Sequence, residues 1–222
     1  MDSLKDDGEL RALLDRLHER SSAQEGELER HVTETKSRSV AGSVADMIAG
    51  RSFWRDKLVA LDRDKAEFCH RLCRALGARR VVEAGTSYGV STLYLAAAVR
   101  DNGGGVVIGT EYEPEKAKIA RRHFAEAGLA DQIDLREGDL RETLARLPGG
   151  IDFMLMDIWI PMVRPAIEAV GPHLRTGAVV MTDNTASYRE AYAEYFAYLA
   201  AHGYTTQTLP FAGGLEMSVK LG

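Results

Sequence analysis

Residues 81–92 read VVEAGTSYGVST. Two β-branched residues lead through a carboxylate into a glycine turn at Gly85 and Gly89, then into Val90, Ser91 and Thr92, the pattern of a buried strand, a tight turn and a helix start. Such a turn places a ligand at the carboxyl end of the first strand of an α/β sheet. Gly85 and Gly89 would let the backbone approach that ligand, and Ser91 and Thr92 can donate hydroxyls near the helix start. The spacing is Gly-x-x-x-Gly. It lacks the second glycine that brings a dinucleotide pyrophosphate against the helix N-terminus, which argues against an NAD enzyme.

Outward from the turn the rhythm is regular. Apolar runs of strand length at Val81-Val82, Val106 to Ile108, Ile133 to Leu135, Phe153 to Met156 and Ala178 to Met181 are each followed by helical sequence. Those helices include Val90 to Val99, one opened by Pro114, and Leu140 to Leu147. This alternation predicts a parallel sheet with helices on both faces. The chain's end breaks the rhythm: Tyr204 to Leu209, a break at Pro210 to Gly214, and the alternating Leu215, Met217, Val219 and Leu221 predict two directly joined strands. The expected class is α/β and Rossmann-like, mostly parallel with an antiparallel ending.

Residues 1–50 are polar and helix-prone, with Leu10, Leu13, Leu14 and Leu17 in one stripe before Ser21-Ser22. They read as a helical accessory arm, with residues 51–222 as the main domain. A stripe without a core of its own must pack on that domain or on a second subunit. The composition is globular, with 45% hydrophobic and 27% charged residues, and the net charge of −5 gives no electrostatic footprint for nucleic acid. A small-molecule partner is expected, with neither nucleic acid nor membrane, and the expected assembly is a homodimer. The opening MDSLKDDGEL lacks a basic, apolar leader and no run approaches the ~18 apolar residues of a membrane span, so a cytoplasmic location is expected. Cys69 and Cys73 share a helical pattern with Phe68, Leu72 and Leu76 and read as buried thiols.

Glu111, in IGTEYEPEKA, ends the second strand roughly twenty residues past the turn, where a carboxylate can accept hydrogen bonds from both hydroxyls of a ribose. Turn and carboxylate on consecutive strands point to a nucleoside. Glu83 either holds the glycine loop or meets the amino group of a methionine-type ligand. Asp139, after the third strand, either accepts from an adenine amine or caps the helix that follows.

With these pieces in order, the chain resembles the class I S-adenosylmethionine-dependent O-methyltransferases, especially the cation-dependent group that includes catechol and caffeoyl-CoA O-methyltransferases and many bacterial relatives. The resemblance covers about residues 55 to 222. It rests on VVEAGTSYGVST, Glu111, Gly138-Asp139, MLMDIW at 154–159, VVMTDN at 179–184 and the final GGLEMSVKL. It implies a seven-stranded sheet with the last strand reversed, and S-adenosylmethionine as cofactor. It puts Glu83, Gly85, Ser91, Glu111 and Asp139 at cofactor-binding positions, with Thr86, Ser87, Gly89, Tyr112, Leu140 and Asp157 beside them and Trp159 packing near the adenine.

Asp157 ends the fourth strand and Asp183-Asn184 the fifth, on the same edge as the cofactor turn. Two carboxylates and an amide oxygen suit a hard divalent cation, Mg²⁺ first, and in the family they are the metal ligands. The alternative is a helix cap at Asp183-Asn184 and a solvated strand end at Asp157. A cation here would lower the pKa of a substrate hydroxyl, which makes Asp157 catalytic as well as ligating. One departure stands out: catechol-type enzymes carry a lysine base three residues past the first metal-ligand Asp, where this chain has Ile160. Arg164 is permanently charged and cannot substitute, so His31 of the arm is a candidate base. The expected function is divalent-cation-dependent O-methylation of a small hydroxylated molecule. The alternatives are a metal-independent N- or O-methyltransferase of the same fold and an S-adenosylmethionine-binding protein with weak turnover.

Overall fold

The structure, a computed structural model, describes residues 3–38 and 51–222. Seven strands form one sheet in the order β3-β2-β1-β4-β5-β7-β6. They are β1 (Arg80–Ala84), β2 (Val106–Glu111), β3 (Ile133–Glu137), β4 (Ile151–Met156), β5 (Leu174–Asp183), β6 (Tyr204–Leu209) and β7 (Leu215–Lys220). The first five pair in parallel, and β7 inserts antiparallel between β5 and β6. Leu221 falls beyond the ladder, which closes with Tyr204 opposite Lys220, and is 62% exposed.

Strand order reverses around β1, the point at which an open α/β sheet leaves a crevice at its carboxyl edge. The register levels that edge. Ala84 pairs with Thr110 and Met156, and Met156 with Thr182, so Gly85, Glu111, Asp157 and Asp183 all leave their strands at one height.

Ten helices lie among the described residues: α1 (Ser3–Asp6), α2 (Gly8–Ser22), α3 (Glu25–Arg38), α4 (Arg51–Trp54), α5 (Arg63–Ala75), α6 (Val90–Asp101), α7 (Pro114–Glu126), α8 (Leu140–Thr143), α9 (Ile160–Val170) and α10 (Ala193–Ala201). Strand pleating sends Val81, Phe153 and Val179 toward α5, α6 and α7, and Val82, Met154 and Val180 toward α9 and α10. The sequence run to Leu147 makes only the single turn α8, because Pro148, Gly149 and Gly150 follow and cannot carry a helix on.

Helix α6 is buried from Val90 through Val99, as an apolar helix must be when covered on every side. Part of that cover is α2, whose Leu10, Leu13, Leu14 and Leu17 are at most 4% exposed and join the same core. Asp7 pairs with Arg100 and His18 Nε2 lies 3.1 Å from the Tyr94 hydroxyl across this contact. The leucine stripe thus packs on its own chain. Residues 39–50, the end of the arm as read from sequence, lie outside the described residues. Cys69 and Cys73 are buried free thiols. No described helix is long and apolar enough to cross a membrane.

Candidate active site

The loop joining β1 to α6 holds three left-handed residues, Gly85 at φ +98°, Ser87 at +50° and Gly89 at +85°. Sequence alone assigns the two glycines to ligand approach; in the structure the close approach is to the protein. A Cβ on Gly85 would lie 2.0 Å from the Asp157 carbonyl oxygen, and one on Gly89 would lie 2.4 Å from the Phe124 ring. The loop is therefore pressed against β4 on one side and α7 on the other.

Glu83 stands behind the loop, fully buried. Its Oε1 accepts from Ser91 Oγ at 2.7 Å, and its Oε2 accepts from Thr86 Oγ1 at 2.9 Å and from Thr92 Oγ1. Burial pushes its pKa up and the three hydroxyls oppose that shift. Of the two roles open from sequence, this geometry is that of the loop holder. Thr86 and Ser91, expected at cofactor positions, turn their hydroxyls inward to the same carboxylate.

Glu111 is different. It is 9% exposed, and its oxygens accept from the backbone N–H groups of Ser87 and Glu113, both at 2.7 Å. An ionised carboxylate offers about four acceptor sites, so ribose hydroxyls can use the others. Burial raises its pKa against those N–H groups and nearby Lys116. Tyr112 beside it is 54% exposed. Asp139 is the N-cap of α8, accepting from Arg141 N at 2.9 Å and pairing with the Arg141 guanidinium, while Leu140 is buried in the opposite core.

A strap, Leu58 to Leu61, crosses the loop and lines one cleft with Gly85 to Tyr88, Val90, Ser91 and Asp157. The arm holds this strap: Gln24 bonds both N–H and C=O of Leu58 at 3.2 Å, and Ser21 Oγ accepts from Ala60 N at 3.1 Å. Just before the strap in sequence, Trp54 meets Trp159 edge-on at 6.5 Å, and His31 stacks on Phe53 at 3.6 Å. His31 therefore belongs to an aromatic wall that reaches Trp159.

Sequence reasoning passed over Lys65. On α5 it stands four residues before Cys69 and eight before Cys73, all three on the buried stripe of the helix, and it is 1% exposed. Its Nζ donates to Asp183 Oδ1 at 2.7 Å and to Asp62 Oδ2 at 2.9 Å. Burial works against its charge, but the two carboxylates outweigh it and raise its pKa. The signal was present as a lysine on an otherwise apolar face, a placement that needs a buried partner.

The expected metal trio is brought together, with Asp183 bonded to both Lys65 and Asn184. Asp183 Oδ2 accepts from Asn184 Nδ2 at 2.7 Å, so both its oxygens already face N–H donors. Asn184, at φ +59°, turns its Oδ1 toward Gly213, where a Cβ would meet it at 2.6 Å. Asp157 is pushed well above the usual carboxylate range by burial and by Asp183 and Glu83. As the side chains stand, an ammonium lies on Asp183, the Asn184 amide presents nitrogen to it, and Asp157 is crowded by like charges, a crowding that a cation at this edge relieves. Ile160, in place of the expected lysine, packs against the core between α9 and the sheet.

Comparison with known proteins agrees with this edge. A model described as a methyltransferase domain matches residues 82–185, from the strand of Glu83 to just past Asp183. A Mycolicibacterium smegmatis protein whose name assigns it to the O-methyltransferases is 32% identical over 154 residues, covering 62% of this chain and 72% of that one. A catechol O-methyltransferase of Mycobacterium tuberculosis is 34% identical over 131 residues, 57% of each chain, so the chain spans little more than half that relative's length. Among solved structures, the O-methyltransferase TomG of Streptomyces achromogenes, in complex with S-adenosylmethionine, aligns with a TM-score of 0.68 at 25% identity, covering 78% of this chain and 86% of that one. The chain belongs to the S-adenosylmethionine-dependent O-methyltransferase family.

Proposed function

We propose that the chain transfers the methyl group of S-adenosylmethionine to an oxygen of a small hydroxylated molecule. The observation that carries this reading is Glu111, fixed by Ser87 and Glu113 N–H groups at the end of β2, beside the glycine loop of the neighbouring strand. Ribose hydroxyls donating to Glu111 would send the methionine end across Gly85 toward β4. In the reaction the acceptor's proton goes to solvent and the resulting oxyanion attacks the sulfonium methyl in line. The S–CH₃ bond breaks as the O–CH₃ bond forms, and S-adenosylhomocysteine leaves as a neutral thioether. Holding both partners supplies much of the rate through orientation.

Two routes lead to the oxyanion. The cation-dependent route, implied by the resemblance, would draw on the lone pairs of Asp183 that Lys65 and Asn184 do not use and on a reversed Asn184 amide. The Lys65–Asp183 pair supports the metal-independent one, and with Ile160 in place of a base it favours acceptors acidic enough to ionise in water. Titration calorimetry with S-adenosylmethionine, followed by transfer of labelled methyl to a panel of acidic phenols, tests the reading. Cofactor binding with product from at least one phenol is expected. A folded chain that takes up no S-adenosylmethionine would overturn it.

A further inference from the structure

A buried lysine costs several kcal/mol unless it is paired, so its position identifies where the fold needs a positive charge. Lys65 comes from α5, 118 residues away in sequence from Asp183, yet its ammonium lies at the carboxyl edge where β4 and β5 deliver Asp157 and Asp183. We infer that Lys65 is the built-in cation of this site, paired with the carboxylate that a divalent ion would use, and that the chain works without bound metal on acceptors that present a single oxygen. The inference rests on the methyl-transfer reading for the acceptor, but not for the cation.

Three observations converge on it. Both oxygens of Asp183 already accept N–H donors, from Lys65 and Asn184. The stem of Lys65 runs along the stripe of Cys69 and Cys73, whose thiols burial holds protonated, so the ammonium is the formal positive charge that this face of α5 brings to Asp183. Lys65 is also paired with Asp62, the residue just before the first turn of its own helix, at 2.9 Å. That second anchor keeps the side chain extended toward the edge, a function a surface lysine would not need.

The chemistry of the acceptor follows from the donor count. A dication in an octahedral shell can take two substrate oxygens at once, which rewards vicinal diols. An ammonium has three N–H donors; among the described residues two go to Asp183 and Asp62, which leaves one for an acceptor oxygen. A second, adjacent hydroxyl gains nothing here. A monohydroxylated acceptor that offers one oxygen to that N–H fits this site.

The test uses the whole chain saturated with S-adenosylhomocysteine and Mn²⁺ as the probe, read by the free-ion electron paramagnetic resonance signal. Wild type should leave an equimolar Mn²⁺ signal undiminished. Lys65→Ala should take up one equivalent, and Asp183→Asn in that background should release it. Lys65→Gln serves in the same role if the alanine variant does not fold by circular dichroism. Uptake of one equivalent by wild type, lost in Asp183→Asn, would overturn the inference. So would a folded Lys65 variant that still binds no Mn²⁺, since the lysine would then not be what excludes the ion. Calorimetry with S-adenosylmethionine on the same samples reports the methyl-transfer reading separately, because Lys65 and Glu111 sit on different elements.

Discussion

Two buried carboxylates at the carboxyl edge are kept by opposite means. Glu83 is satisfied by the hydroxyls of Thr86, Ser91 and Thr92, three to nine residues away along one strand-turn-helix segment. Asp183 is satisfied by a full positive charge delivered from Lys65, on a helix that precedes the whole sheet in sequence. Neutral donors share the load and hold a loop; at Asp183 an ammonium carries most of it, with the Asn184 amide beside it. The difference separates a carboxylate that builds the site from one that tunes it.

The largest test of that contrast is Lys65→Met, which keeps the stem and removes the charge. It should destabilise the fold by about 3–5 kcal/mol in urea denaturation, the cost of stranding a buried ion, with the loss shrinking at low pH as Asp183 takes a proton. A loss below ~1 kcal/mol would show that Asp183 does not depend on it. Ser91→Ala removes one of three donors to Glu83 and should cost about 1.5–3 kcal/mol, with less pH dependence because two hydroxyls remain. Equal pH slopes in the two variants would erase the distinction.

Glu111→Ala should leave the fold intact by circular dichroism and weaken S-adenosylmethionine binding by about 1–3 kcal/mol. Wild-type affinity should be full at neutral pH, where Glu111 is ionised. It should fall as pH drops through a pKa above the ordinary 4.5, because burial raises the carboxyl and the protonated form accepts ribose hydroxyls less well. Affinity that is flat down to the usual carboxylate range would remove Glu111 as the anchor. The smallest effect belongs to Gln24→Ala, which releases both bonds to Leu58 and should loosen the strap. Cofactor affinity should drop by about 0.5–1.5 kcal/mol, measurable by calorimetry.

The same contrast explains what could be read in advance. The strand-helix alternation, the reversed β7 and the place of Glu111 at the end of β2 were legible because each is written in a local pattern: a period, a turn, a carboxylate at a fixed distance from glycine. The Glu83 clamp was half legible, since its partners lie within the same dozen residues but their inward rotamers do not show in sequence. Lys65 was missed because its partner is set by tertiary packing of α5 on β5. For the same reason the pairing of Asp183 with Lys65 and Asn184 could not be read from the expected metal trio Asp157, Asp183 and Asn184, although the three strand-end positions could. His31 and Trp159 join one aromatic wall only through Phe53 and Trp54, which no spacing rule connects.

Gly85 also has a consequence for how this site can change. Its backbone conformation and its contact with the Asp157 carbonyl each exclude a side chain independently, so the position is closed to substitution twice over. The turn after β1 and the end of β4 meet at that one residue and can only change together. New acceptor ranges would have to arise in the strap and the aromatic wall, leaving the glycine as the fixed point around which variation accumulates.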